Sequence, residues 1–171
     1  MQNFDLKSVL RQKFKKRIEV GKDAKCVALA ELKYGQGRGK KNFFVLTLGT
    51  GIGGGVVIDG KLYNSEDVGG ELGSIVIDKG KTFEDLVGKN GALKLNDREL
   101  SRYLGQGIGS LINIFNPEVV VLAGGGVIRV NRILERVRRD VKKYVILRGK
   151  FPVVLSKLKE PGLIGAGSLI S

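Results

Sequence analysis

The sequence has few of the residues that crosslink proteins or bind transition metals. Its 171 residues include one cysteine, Cys26, and no histidine. A single cysteine excludes a disulfide within the chain, and the ligand set for a zinc cluster is missing. No apolar run approaches the ~20 residues of a membrane-spanning helix, and the amphipathic N-terminus lacks the apolar core of a signal peptide. We therefore expect a cytoplasmic protein without a membrane partner.

Acidic residues are also scarce relative to basic ones. The chain carries 17 acidic and 30 basic residues, a formal net charge of +13. The basic residues cluster at 13–17, 38–41 and 129–143, beside or between apolar positions of predicted helices. Solvated helix faces account for such clusters, so we do not expect a nucleic-acid partner, although the charge keeps that alternative open. A basic surface would also attract anionic nucleotides.

Glycine, in contrast, is abundant, with 26 residues, and it marks the most informative stretch, 43–63. Apolar runs at 43–48, 56–58 and 61–63 predict three strands, and Asp59-Gly60 between the last two is a strong hairpin signal. Residues 49–55 hold five glycines in seven positions. Such a backbone can aim several N–H groups at an anion, or it can be only a tight hairpin.

The glycine stretch fits neither of the common nucleotide motifs. No Gly-Lys-Ser/Thr follows it, and a strand rather than a helix comes next. A phosphate loop within a β-hairpin remains, and residues 46–63, LTLGTGIGGGVVIDGKLY, resemble the second phosphate motif of the ROK family (repressors, open reading frames and sugar kinases). The resemblance implies ATP and Mg²⁺ as cofactors, with nucleotide contacts from Thr50, Gly51 and Gly53.

A second resemblance lies at residues 21–25, GKDAK, where a predicted strand at 18–20 gives way to a helix. ROK kinases carry a Glu-Asn-Asp-Ala-Asn-like segment there, and its Asp removes a proton from the sugar hydroxyl, which implies Asp23 as the catalytic base. Only Asp23 and Ala24 agree with that segment. Without the resemblance, Asp23 would be an N-cap of the following helix. Lys22, which replaces an Asn, should lie close to Asp23 and weaken it as a base.

Three further residues match the family's sugar-binding positions. Residues 69–74, GGELGS, resemble Gly-Glu-x-Gly-His, which implies sugar contacts from Glu71 and from Ser74, in place of the His. Residues 83–88 resemble a helix whose Glu contacts the sugar, by position Glu84; the alternative is a solvent-facing carboxylate in a first helical turn. The segment between lacks the family's cysteines, so we expect no zinc.

The longest matching segment is LINIFNPEVVVLAGGGV at 111–127. It follows a predicted helix over 97–115, whose glycines indicate close backbone contacts, and it contains a predicted buried strand over 119–123. Glycines after this strand form part of the adenosine site in ROK proteins, which implies Gly124 and Gly125 here. Since ligands bind beyond the carboxyl ends of strands in open α/β sheets, these glycines and the 49–55 segment should share one end.

Together these resemblances imply an α/β domain of the actin-like ATPase (ribonuclease H-like) class, with a mixed sheet and helices on both faces. The family's Asp-x-Gly-Gly-Thr segment is not present, so we interpret residues 1–171 as a single C-terminal lobe, with 1–20 a remnant of the inter-lobe region. The expected function is a truncated or split ATP-dependent hexose kinase that needs a separate N-terminal lobe, and we expect a homodimer or a complex with a separately encoded lobe rather than a free monomer. The alternative is a non-catalytic sugar- or nucleotide-binding module; a DNA-binding repressor rests on charge alone.

Overall fold

The structure, a computed structural model, describes residues 4–63 and 69–170. Over these ranges no helix combines the length and apolar character needed to cross a membrane. The helices are α1 (Leu6–Phe14), α2 (Asp23–Tyr34), α3 (Phe83–Val87), α4 (Lys89–Ala92), α5 (Asp97–Phe115), α6 (Val127–Lys142) and α7 (Pro161–Gly167). The strands are β1 (Phe43–Leu48), β2 (Ile52–Ile58), β3 (Lys61–Leu62), β4 (Val76–Asp78), β5 (Lys81–Thr82), β6 (Val119–Ala123) and β7 (Val153–Leu155).

Five strands form one mixed sheet in the order β3-β2-β1-β6-β7. β1 pairs with β2 in antiparallel orientation and with β6 in parallel orientation, and β6 pairs in parallel with β7. The β2–β3 turn has positive φ at Asp59 (51°) and Gly60 (73°), the conformation that makes Asp-Gly a hairpin signal. The predicted mixed sheet and its meander over 43–63 are confirmed.

Helices cover both faces of the sheet because apolar side chains on the inner strands point alternately to either side. On β1, Phe43 and Val45 pack with Val27 and Ala28 of α2, and α7 lies against α2. Phe44 and its alternate neighbours pack in the larger core that α5 and α6 share. β6 is buried on both faces, as a five-residue apolar run predicts.

The predicted glycine loop is shorter than expected because β2 begins at Ile52. Gly53 and Gly55 are strand residues, and α2 crosses close above them. A Cβ on Gly53 would lie 2.8 Å from the Ala24 Cβ, and one on Gly55 would lie 2.5 Å from the Ala28 Cβ. These glycines therefore permit helix–sheet packing, and the free loop is only 49–51. The prediction of a strand over 18–20 was wrong, since these residues form no strand.

The glycines of α5 mark close approaches to other elements, as predicted. A Cβ on Gly105 would lie 2.8 Å from the Asp140 carbonyl carbon, and one on Gly107 would lie 2.6 Å from the Phe83 ring. Beside Gly105, the Ser101 hydroxyl donates to the Asp140 carboxylate at 2.6 Å. Burial opposes ionisation of Asp140, but hydrogen bonds from Lys143 and Ser101 outweigh it and hold its pKa below the usual range. This buried contact locks α5 to α6.

Candidate functional site

The two glycine segments meet at the carboxyl ends of β1 and β6, because these neighbouring strands are parallel. The Gly126 N–H donates to the Leu48 carbonyl at 2.8 Å. Gly124 has a φ of 89°, and a Cβ there would lie 2.6 Å from the Leu48 carbonyl oxygen. Both the positive φ and the close oxygen require glycine at this position. Both segments therefore lie at the same end of the sheet.

A cleft of about 470 Å³ opens above this junction. Its walls come from the start of α2, the end of β1 and the loop after it, the start of β2, the residue before the 3₁₀ turn at Leu72–Ser74, the first turn of α3, the residue after β6, and the start of α7. Seven of the nine predicted site residues line it: Asp23, Thr50, Gly51, Gly53, Glu71, Glu84 and Gly124. Ser74 is exposed outside this lining. Glu160 also lines the cleft; no motif in the sequence singled it out.

Gly125 lines an adjoining apolar slot of about 330 Å³, which shares Leu48 and Gly49 with the cleft. The slot is walled mainly by Val87, Ala92, Leu93, Leu100 and Val130. Arg129 at its edge is held in place by Asp97 and by the carbonyls of Ala92 and Leu95. An apolar slot joined to a polar, glycine-lined cleft suits a ligand with one apolar ring and one anionic end. Sequence reasoning missed the slot because its apolar residues resemble ordinary core positions.

Asp23 lies at the mouth of the cleft as the first residue of α2. It is not the N-cap, which is Lys22 and makes no side-chain capping bond. The Asp23 carboxylate accepts a hydrogen bond from the Ala24 N–H at 2.7 Å and is exposed. The capping alternative is therefore wrong, and an exposed carboxylate borders the cleft.

Lys22 is paired with Glu71 across the cleft entrance. The Lys22 ammonium donates to a Glu71 carboxylate oxygen at 2.6 Å, and the two side chains are 47% and 43% exposed. We expected this cation to act on Asp23, but the structure directs it to Glu71. A sugar hydroxyl that binds Glu71 must therefore compete with the ammonium group.

Glu84 holds the glycine loop in place. Its carboxylate accepts a hydrogen bond from the Ile52 N–H at 2.7 Å, and a Cβ on Gly51 would lie 2.2 Å from the same oxygen. The residue occupies the first turn of α3, which begins with a capping box between Thr82 and Asp85. One carboxylate oxygen therefore serves the loop, and only the other remains for a ligand.

The single cysteine lies below this site without taking part in it. Burial raises the pKa of the Cys26 thiol, and the nearby Asp23 carboxylate raises it further. Such a thiol is a poor nucleophile. Within 4–63 and 69–170, no three acidic or cysteine side chains are grouped closely enough to hold a metal ion.

The chain is similar to proteins of one family along its whole length. The ROK family model matches residues 1–93 and 79–171. A glucokinase from Thermotoga maritima is 30% identical over 98% of this chain and 70% of its own length. A ROK hexokinase from Thermus thermophilus superposes with a TM-score of 0.85 at 27% identity, over 97% of this chain and 71% of its own. An inorganic polyphosphate/ATP-glucomannokinase from Arthrobacter superposes with a TM-score of 0.75 at 32% identity, over 98% of this chain and 62% of its own.

The chain spans about two thirds of the length of its curated relatives, 66% for an uncharacterised Clostridium perfringens protein and 70% for the Thermotoga glucokinase. The alignment with the glucokinase runs over 224 positions, whereas this chain has 171 residues. At least 53 aligned positions (224 less 171) therefore have no counterpart here. Part of the difference in length is internal.

Proposed function

Because this chain belongs to the ROK family, we propose that it is one lobe of a hexose kinase that transfers the γ-phosphoryl group of ATP to a sugar hydroxyl. A separate N-terminal lobe completes the site in this proposal. One observation carries it: a single cleft brings the carboxylates of Asp23, Glu71 and Glu84 beside both glycine segments. Positioning and charge neutralisation, rather than covalent chemistry by the protein, drive phosphoryl transfer.

In this proposal the cleft divides between donor and acceptor. Backbone N–H groups of Thr50 and Gly51, with Gly53 and Gly124 alongside, hold the phosphates, and the apolar slot beside Gly125 takes the adenine ring. Mg²⁺ bound together with ATP would supply positive charge to the phosphate oxygens, and we assign it no ligand among the described side chains.

The acceptor sugar lies at the α2 side of the cleft. Asp23 takes the proton from the attacking hydroxyl, while Glu71 and Glu84 accept hydrogen bonds from other hydroxyls. Ser74 lies outside this lining, so we assign it no sugar contact. The identity of the hexose does not follow from these residues.

A non-catalytic, regulatory sugar- or nucleotide-binding module is the second candidate. Two contacts favour it: Glu71 is already paired with Lys22, and Glu84 is already bonded to the Ile52 N–H. Both carboxylates would therefore bind a sugar less readily than unpaired ones. In such a module the cleft would still bind a ligand but would not turn it over.

Association is part of the proposal, with a homodimer or a separately encoded lobe as the partner in the cytoplasm. α1 buries no residue, and Phe4 and Phe14 are 72% and 56% exposed. On α7, Leu163 is 72% exposed. Monomers seldom leave such apolar faces open, and an interface of ~800 Å² per partner would be of stable size.

A coupled assay tests the proposal. The chain is incubated with glucose, mannose or N-acetylated hexoses and with ATP or polyphosphate, the two donors in the name of the Arthrobacter relative. It is assayed alone and with a candidate N-terminal lobe, and sedimentation follows association. Asp23→Asn should lower turnover by about 10²-fold or more, while Asp59→Asn, in an exposed turn away from the cleft, should leave it unchanged.

Two outcomes would contradict the proposal. Binding of hexose or ATP without turnover in every mixture would favour the regulatory module. Turnover that Asp23→Asn leaves intact would remove Asp23 as the base.

A further inference from the structure

One wall of the apolar slot is a short segment that buries little of its own surface. This slot wall, residues 89–96, consists of α4 and the turn that leads to α5, and none of its residues is fully buried. Leu93, which lines the slot, is 74% exposed. One end of the wall is tied to the glycine loop, because the Lys89 N–H donates to the Thr50 carbonyl at 3.1 Å. A segment with so little buried surface depends on specific polar contacts for its position.

The other end of the slot wall is held by Arg129 of α6. Its guanidinium donates to the carbonyls of Ala92 and Leu95, each at 2.7 Å, and to the Asp97 carboxylate at 2.9 Å. The arginine has a firm base, since the next residue, Val130, is only 2% exposed and packs in the main core. Arg129 therefore fixes the weakly buried wall against a well-packed helix.

The shape of the guanidinium matters more here than its charge. Two of the three acceptors are neutral backbone carbonyls. Arginine presents five N–H donors in a rigid planar fork, whereas a lysine ammonium is a compact point charge with three donors on a flexible stem. A lysine at position 129 would therefore keep the charge but could not hold the same three acceptors together.

We propose that Arg129 is a positioning residue for nucleotide binding, and that the slot wall it holds covers one face of the base through Leu93. The inference rests on the proposed function, because it takes the slot as the site of the adenine ring. Leu93 leaves apolar surface inside the slot for such a ring to cover. The bond from Lys89 to Thr50 joins the same wall to the loop that holds the phosphates in that proposal. The position of the wall therefore sets the geometry between ring and phosphates.

Calorimetry of the whole chain with ADP and with inorganic pyrophosphate tests this role, because the two ligands share a diphosphate and only ADP has a ring. Arg129→Lys should weaken ADP binding at least about fivefold and leave pyrophosphate binding within about twofold of the parent. Arg138→Lys is the matched control. Arg138 lies on the same helix outside the slot lining, donates to the Glu135 carboxylate and the Val153 carbonyl, and is 37% exposed against 33% for Arg129. It should leave both affinities unchanged, and both variants keep the net charge.

A second variant tests the contact with the base without disturbing the fold. Leu93→Ala changes an exposed position, so the melting temperature should stay the same while ADP binding weakens about fivefold. Ile146→Ala is its control, at a position that is 84% exposed and lies outside the slot lining. It should change neither quantity.

Amide hydrogen exchange over residues 89–96 measures the positioning itself. Exchange there should be at least about tenfold faster in Arg129→Lys, unchanged in Arg138→Lys and slower in the parent with ADP. Equal losses of ADP affinity in the two lysine variants, equal losses for ADP and pyrophosphate in Arg129→Lys, or no ADP binding by the parent would each overturn the proposal. ADP binding that changes as expected, together with no turnover in any mixture, would support this inference and refute the kinase activity.

Discussion

Asp140→Asn should destabilise the protein by about 1–2 kcal/mol at neutral pH. The Asp140 side chain is only 11% exposed and accepts hydrogen bonds from the Ser101 hydroxyl and the Lys143 ammonium. Asparagine keeps the volume but only one acceptor oxygen, so the charge and one of the two acceptors are lost. A charged hydrogen bond contributes ~1.5–3 kcal/mol and a neutral one ~0.5–1.5. Because Lys143 is 67% exposed, its ion pair adds only ~0.2–1 kcal/mol.

The pH dependence gives this prediction its sign. The pKa of Asp140 is lowered in the fold, so its ionised form stabilises the native state. That contribution is fully present above the unfolded pKa, near ~3.9, and is lost as pH falls through the folded pKa. The stability gap between the parent and Asp140→Asn should therefore narrow below about pH 4. Other carboxylates also titrate there, but they are common to both proteins.

Urea unfolding at pH 7 and at about pH 3 measures both effects, and thermal melting should show a midpoint about 3–8 °C lower for the variant at pH 7. Asp59→Asn, a change of the same charge in an exposed turn, should stay within about 0.5 kcal/mol of the parent. Equal stability of Asp140→Asn and the parent at pH 7 would refute the reasoning. A gap that persists in acid would do so as well, since the charge would not be its cause.

Three further changes probe the site and its support. Lys22→Asn frees Glu71 from its half-exposed ion pair, so hexose affinity by calorimetry should rise up to about fivefold, with less than about 1 kcal/mol lost in stability; an unchanged affinity would contradict the competition described above. Gly165→Ala would place a Cβ 1.7 Å from the Cys26 carbonyl oxygen, so α7 must shift. Urea unfolding should then show that the free energy of unfolding is lower by at least about 1–3 kcal/mol. The buried Cys26 thiol, with its raised pKa, should react with a disulfide reagent at least about tenfold more slowly in the native protein than in urea; equal rates would show that the thiol is accessible.

The fold was predictable where sequence pattern and structure depend on the same local physics. The bounds of β1, α5 and β6 agree with the predictions, because each has a clear apolar period and a marked end, such as Asn116 in the left-handed conformation. The start of β2 was missed, since its glycines look like loop residues. Only the approach of α2 explains them, and that approach is a tertiary contact.

The sequence predicted many residues of the candidate site, but it did not predict the contacts that they make. Family-like motifs identified seven of the residues that line the cleft, and the parallel pairing of β1 and β6 brings the two glycine segments together. Spacing could not reveal that Lys22 reaches Glu71, 49 residues away, or that Glu84 braces Ile52. Both contacts depend on side-chain direction in the folded chain.

The position of β1 in the sheet sets the order in which the chain can be completed during synthesis. One edge of β1 can pair with β2, which is synthesised only a few residues later. The other edge can pair only after β6 has been synthesised, because Phe43 pairs with Val119 of that strand. At ~5–20 residues per second, the ribosome needs roughly 4–15 s to pass from the end of β1 to the end of β6. For that time an apolar strand edge is open to other nascent chains. Slower translation should therefore leave this strand edge exposed for longer.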